Sequence, residues 1–116
     1  MSEIEETFAA MATDYWKLLR SFEKIAAAAP ADSANRLLAQ ARFAGSRLAG
    51  HLAGAGMELA TFDGQEITPT IPVVAINADE CGDYKRTVVA STVEPAIIAG
   101  GRVLLQARVV AAEGEE

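Results

Sequence analysis

Four places in this chain carry residues whose types could do chemistry, and each fails on spacing or surroundings. His51 is the only histidine and Cys81 the only cysteine. No cysteine or carboxylate follows His51 at ligand spacing, so it reads as an edge residue of a helix rather than as a metal ligand. Cys81 stands in Asp79-Glu80-Cys81-Gly82-Asp83, where neighbouring negative charge disfavours the thiolate and makes a poor nucleophile. The same acidic run lacks the ligand spacing and flanking helices of a calcium loop. Gly100-Gly101-Arg102 lacks the lysine and the following helix of a phosphate loop. No catalytic set remains, and the chain reads as a non-enzymatic interaction protein without a cofactor or metal.

The elements that would position these residues fall into two textures. From residue 4, Ile4, Phe8, Met11, Tyr15, Leu18, Phe22 and Ile25 recur at alternating spacings of four and three, a heptad seam. Acidic Glu3, Glu5 and Glu6 lead it and Lys17, Arg20 and Lys24 follow, the order a helix dipole favours. Pro30 ends the pattern, which predicts a helix of about 25 residues. Asp32 or Ser33 is placed to cap a second helix. Its seam runs Leu38, Ala41, Gly45, Leu48, Leu52, Ala55, with Gly54 and Gly56 as stop signals. The short connection makes the two helices antiparallel neighbours.

Beyond Gly56 the pattern changes to short strands, expected over 57–62, 73–76, 86–93 and 102–110. Asp63-Gly64, 79–83 and Gly100-Gly101 read as turns, and Pro69, Pro72 and Pro95 confine their neighbourhoods to loops, strand starts or edges. The tail 113–116 reads as solvated. The expected fold class is therefore α+β. A two-helix antiparallel hairpin over 1–56, half of a dimeric four-helix bundle, precedes a small acidic all-β domain over 57–116, a sandwich or half-barrel.

Composition sharpens this. The chain has 116 residues, is 51% hydrophobic and only 6% aromatic, so alanine supplies much of its apolar surface and a single copy would have a thin core. Two such hairpins closing a four-helix bundle would bury both seams, which makes a homodimer the expected remedy, with Phe8, Met11, Tyr15, Leu18, Phe22, Leu48 and Leu52 in the interface. The net charge of −6 lies wholly in residues 57–116, where Lys85, Arg86, Arg102 and Arg108 are the only cations. An acidic surface disfavours nucleic acid and anionic membranes as partners. No apolar run approaches the ~20 residues that span a bilayer. The acidic start Met-Ser-Glu-Ile-Glu-Glu is unlike a secretory leader, and the lone cysteine suits a reducing compartment, so the expectation is cytoplasmic.

The run Glu94-Pro95-Ala96-Ile97-Ile98-Ala99-Gly100-Gly101-Arg102-Val103-Leu104-Leu105-Gln106-Ala107-Arg108-Val109-Val110 resembles the closing signature of the GrpE family, the nucleotide exchange factors of DnaK-type chaperones. There the run reads roughly Gln-Lys-Gly-Tyr-x-Leu-Asn-Gly-Arg-Val-x-Arg-Pro-Ala-Met-Val-x-Val. Leu18-Leu19-Arg20-Ser21-Phe22-Glu23-Lys24, then Gly56-Met57-Glu58, then Thr68-Pro69-Thr70-Ile71 look like further family stretches in the same order. The departures are specific. The family's Leu-His-Glu-Ala-Val is Ile71-Pro72-Val73-Val74-Ala75 here, its Lys-Gly-Tyr loses lysine to Pro95 and tyrosine to Ile97, and an early glycine of the second bundle helix is Gln40. The long paired helix of typical members is absent or reduced to the first residues.

The resemblance implies a dimeric co-chaperone whose β domain wedges open the ATPase domain of a DnaK-type chaperone so that ADP leaves. By position it implies contacts at Arg102, Val93 and Ala111. Two other readings stay open: a GrpE-like scaffold that binds a different protein without exchange activity, and an unrelated small α+β dimer that binds a small ligand at its bundle.

Overall fold

The computed structural model describes residues 3–114. It has two long helices followed by six short strands in two sheets, the expected α+β order. The chain divides into two compact units at Glu58/Leu59, two residues beyond the expected boundary.

The helical unit is a hairpin of α1 (Glu3–Ala27) and α2 (Ala31–Gly54). Tightened hydrogen bonds finish α1, from Ala28 N–H to the Lys24 and Ile25 carbonyls and from Ala29 N–H to the Ala26 carbonyl, before Pro30 stops it. The second helix starts earlier than expected. Its N-cap is Pro30 without a side-chain cap, and the Pro30 carbonyl accepts from Ser33 and Ala34 N–H at 2.9 and 2.8 Å. Asp32 lies inside the first turn, where its charge still suits the dipole. At the far end Gly56, at φ 72°, takes the left-handed conformation that closes the helix.

The face of α1 that meets α2 is a second seam, of small residues. Ala9, Ala12, Trp16 and Ala26 are buried, with Leu19 and Glu23 half-buried between them, so 9-12-16-19-23-26 runs in threes and fours like the heptad set beside it. On α2 the buried residues are Ala41, Leu48 and Leu52, close to the expected stripe. A Cβ added at Gly45 would stand 3.5 Å from the Leu19 side chain, so the helices meet at van der Waals distance there. Tyr15 donates from its hydroxyl to the Ala44 carbonyl at 3.0 Å, which ties the two helices at mid-length.

The β unit holds one sheet in the order β1-β4-β5 and another in the order β2-β6-β3. Its strands are β1 (Met57–Ala60), β2 (Val73–Ala75), β3 (Thr87–Glu94), β4 (Ala96–Ala99), β5 (Arg102–Leu105) and β6 (Ala107–Glu113). Six strands replace the four expected. Pro95 does not bar a strand: it is fully buried at the junction between β3 and β4. The stretch 102–110 is two strands, because the chain leaves one sheet and enters the other at Gln106. Glu113, expected in a frayed tail, pairs with Thr87; Glu115 and Glu116 lie outside the described residues.

In the second sheet β6 is the central strand, parallel to β2 and antiparallel to β3. Bulges between Val89 and Ser91 and between Thr92 and Glu94 bend β3. The core is small: Val89, Ala96, Ala107 and Val109, with Ala60, Phe62, Ile67 and Val73 packed against them. Asn77 continues the sheet beyond β2 with its side chain, donating to the Ala111 carbonyl and accepting from Ala111 N–H, both at 2.9 Å.

The β4–β5 turn is a two-residue hairpin. Ala99 pairs with Arg102 across Gly100 and Gly101, whose φ angles are 56° and 80°, as a type I′ turn requires. No atom lies within 4 Å of a Cβ added at either glycine, so a substitution there meets backbone strain alone. Gly101→Val should destabilise the protein by about 1–2 kcal/mol, read as a lower denaturation midpoint with an unchanged denaturant slope. An unchanged midpoint would contradict this turn assignment.

Candidate interaction surfaces

Apart from Trp16 and Leu19, α1 turns mostly small residues inward and carries a line of large apolar ones outward. Ile4, Met11, Leu18 and Ile25 are 80, 67, 74 and 71% exposed and stand seven residues apart, so they form one line along the helix. Tyr15 is also exposed, and Phe8 and Phe22 are half-buried along its edge. Between this stripe and α2 lies an apolar groove of about 420 Å³ lined by Tyr15, Leu18, Leu19, Phe22, Gln40, Ala41 and Ala44. Single exposed apolar residues need no explanation, but a contiguous line of them marks a surface that associates.

Of the seven residues expected in a dimer interface, Phe8, Met11, Tyr15, Leu18 and Phe22 lie along this open face. Leu48 and Leu52 do not. At 6 and 1% exposed they are already buried within the single chain, so they are withdrawn from that set. Spacing alone could not separate them, because an inward and an outward seam share one period. Phe43, 65% exposed with the Arg47 guanidinium 5.8 Å from its ring centre, extends the apolar surface onto α2. Sequence reasoning missed it because it falls between heptad positions.

The second surface is the β4–β5 hairpin. Arg102 is exposed at the foot of the Gly100-Gly101 turn, with Val103 and Leu105 exposed further along β5, the edge strand of its sheet. Val93 is 36% exposed and stands within the second bulge of β3, in the other sheet. Ala111 is withdrawn as a contact residue: it is buried in the central strand β6, with both its backbone groups engaged by the Asn77 side chain. A methyl group held there has no surface to offer a partner.

Of the places weighed for chemistry, Gly100-Gly101-Arg102 is the turn of the second surface. His51 is exposed near the end of α2. Cys81 is half-buried and donates from its thiol to the Asn77 carbonyl at 3.4 Å, and Glu80 accepts from the Asn77 amide at 3.1 Å. Among the described residues no three His, Cys, Asp or Glu side chains are grouped to hold a metal ion. Among the described residues no helix is long and apolar enough to cross a membrane.

Comparison of the chain with protein-family models, with curated proteins and with solved structures finds no match in any of the three.

The α1 stripe makes a contrast that single substitutions expose. Leu18→Asp places a charge where the single chain leaves water, so the dissociated chain should keep its native helix content, and stability should fall only by what association contributes. Self-association through this face should be lost, read by sedimentation equilibrium beside circular dichroism. Leu52→Asp buries a carboxylate without a partner and should cost several kcal/mol, melting the helices. Equal damage from both substitutions would contradict the outward orientation of Leu18.

Proposed function

We propose that this chain is a dimeric, non-enzymatic co-chaperone of GrpE type that promotes ADP release from a DnaK-type chaperone by binding its ATPase domain. The observation that carries the reading is the residue-by-residue likeness of the closing run, with its Gly-Gly-Arg as an exposed two-residue hairpin tip. A tight, glycine-built turn holds Arg102 beside solvent at the edge of a sheet, where a guanidinium can fork onto a partner's carboxylate. The outward α1 stripe supports the dimeric part, because large apolar residues in a line need a cover that the single hairpin lacks.

The mechanism asks for no bond chemistry. A factor that binds the open, nucleotide-free state of the chaperone more tightly than the closed state must, by linkage, lower nucleotide affinity by the same factor. The work is done by differential contact on the β unit. Association through the helices would set how two β units are presented.

A second reading keeps the dimeric scaffold but gives it another protein partner. Two observations favour it. Ala111 is buried, which removes one of the three contacts that the resemblance implies. Pro72 and Val73 replace the family's histidine and glutamate, and Val73 packs into the β core.

Arg102→Ala separates function from fold. As an exposed residue after a turn it should change stability by about 0.5 kcal/mol or less. Truncating an arginine at an interface centre costs about 2 kcal/mol, roughly thirtyfold in affinity. Stopped-flow release of a fluorescent ADP analogue from a DnaK-type chaperone should be accelerated by the native protein and much less by the variant. A native protein that leaves release unchanged removes the exchange-factor reading in favour of the second. A folded variant with native activity makes Arg102 a bystander.

A further inference from the structure

We infer that the outer face of the β2-β6-β3 sheet is a docking site for one basic amphipathic helix of a partner protein. The inference stands apart from the exchange-factor reading, since it uses neither Arg102 nor the α1 line.

Register places the residues. On β6, Ala107, Val109 and Ala111 are buried, so Arg108, Val110 and Ala112 turn to the opposite face. On β2, Val73 packs into the core, which puts Val74, the register partner of Arg108, on that outer face. Ile76 continues the strand by donating from its N–H to the Val109 carbonyl at 2.9 Å, so its side chain lies two residues beyond Val74 on the same side. On β3, Val88 stands opposite Ala112 and Ser91 opposite Val110. The result is a continuous apolar strip across all three strands. Val74 and Ile76 are 45 and 46% exposed, and Val88, Val110 and Ala112 are half-buried, so the strip is open to water. A contiguous apolar patch of this kind marks a surface that associates.

Size selects the shape of the occupant. Two strand spacings of ~4.8 Å make the face about 10 Å wide, and the stretch from 108 to 112 makes it about 17 Å long. A helix is about 10 Å across with a pitch of ~5.4 Å. One helix of about three turns therefore covers the face, whereas a second sheet would overhang it on both sides.

Charge selects the kind of helix. Beyond Ile76 the chain enters Asn77, whose side chain is bonded to the Ala111 backbone, and then the turn Ala78–Glu80. The loop 78–85 thus borders the face at its Ala112 end, and it carries Asp79, Glu80 and Asp83 against one cation, Lys85. Glu113, also exposed, adds to the same end. The other charges near the face are matched within the chain, Arg108 by Glu94 at 3.9 Å and Arg86 by Glu66 at 3.5 Å. The excess is acidic, and it complements lysine or arginine on the flanks of a helix whose apolar side lies on Val74, Ile76 and Val110.

The probe is a capped 12-residue peptide of leucine and lysine, with leucines at helical spacing on one side. Titrated into the isotope-labelled protein, it should shift the amide signals of Val74, Ile76, Val88, Val110 and Ala112. Ile76→Lys, at a half-exposed edge position, should weaken binding about tenfold, as loss of a central apolar contact does. Asp79→Lys should weaken it about threefold, and added salt should reduce that difference. Signals outside the face report in the same spectra that each variant is folded. A peptide of equal composition with its leucines scattered around the helix should bind about tenfold more weakly. Shifts that fall on the α1 line instead, native affinity in Ile76→Lys, or equal binding of the scattered peptide each overturn the proposal. Shifts at these residues on raising protein concentration without peptide assign the face to a second copy, which also overturns it.

Discussion

The close approach of α1 to α2 is the constraint from which the rest of the helical unit follows. Ala9, Ala12 and Ala26 from one helix and Ala41 from the other occupy the buried seam, and Gly45 lets the Leu19 side chain approach its backbone. A seam of small side chains brings the helices together, but it removes little apolar area from water for each residue buried. Trp16, Leu48 and Leu52 supply the large buried groups of this unit. Two helices also have more than one face each, and the line Ile4, Met11, Leu18 and Ile25 lies on a face of α1 that the hairpin leaves open. Burial of each large aliphatic side chain is worth about 1.5–3 kcal/mol, so the exposed line of four holds a substantial gain for any surface that would cover it.

The β unit answers a similar scarcity with crossings rather than bulk. Its core residues are mostly alanine and valine, and its strands are short. One segment serves both sheets, since the chain passes from β5 to β6 through Gln106. The Asn77 amide adds ladder hydrogen bonds without adding a strand, and Thr92 joins the bulged β3 to Asp63 with a side-chain hydrogen bond of 2.5 Å. Such fixed polar contacts define register where hydrophobic area is small. Strand β4 is the buried middle strand of its sheet, and β5 carries Arg102 on the exposed edge.

The two surfaces differ in kind. The α1 stripe is apolar and runs along the length of the helix. The hairpin around Arg102 is a cation on an acidic background, since residues 57–116 hold four basic and ten acidic side chains. Surfaces of the first kind associate through area and those of the second through direction and pairing.

The sequence by itself determined the two helices, their antiparallel connection at Pro30, the change of texture near Gly56 and the turn at Gly100-Gly101. These are local matters: proline cannot continue a helix, glycine takes positive φ without strain, and heptad spacing shows within one element. Only the tertiary structure decided which of the two α1 seams faces inward. Both obey one period, and the choice depends on how near the neighbouring helix can come. It alone assigned Leu48 and Leu52 to the closed face and buried Ala111 under Asn77, because burial is a property of distant neighbours rather than of residue type. It alone divided 102–110 between two sheets and made Ala96–Ala99 a strand behind a buried proline. Those outcomes depend on non-local pairing, which leaves no periodic trace in four residues.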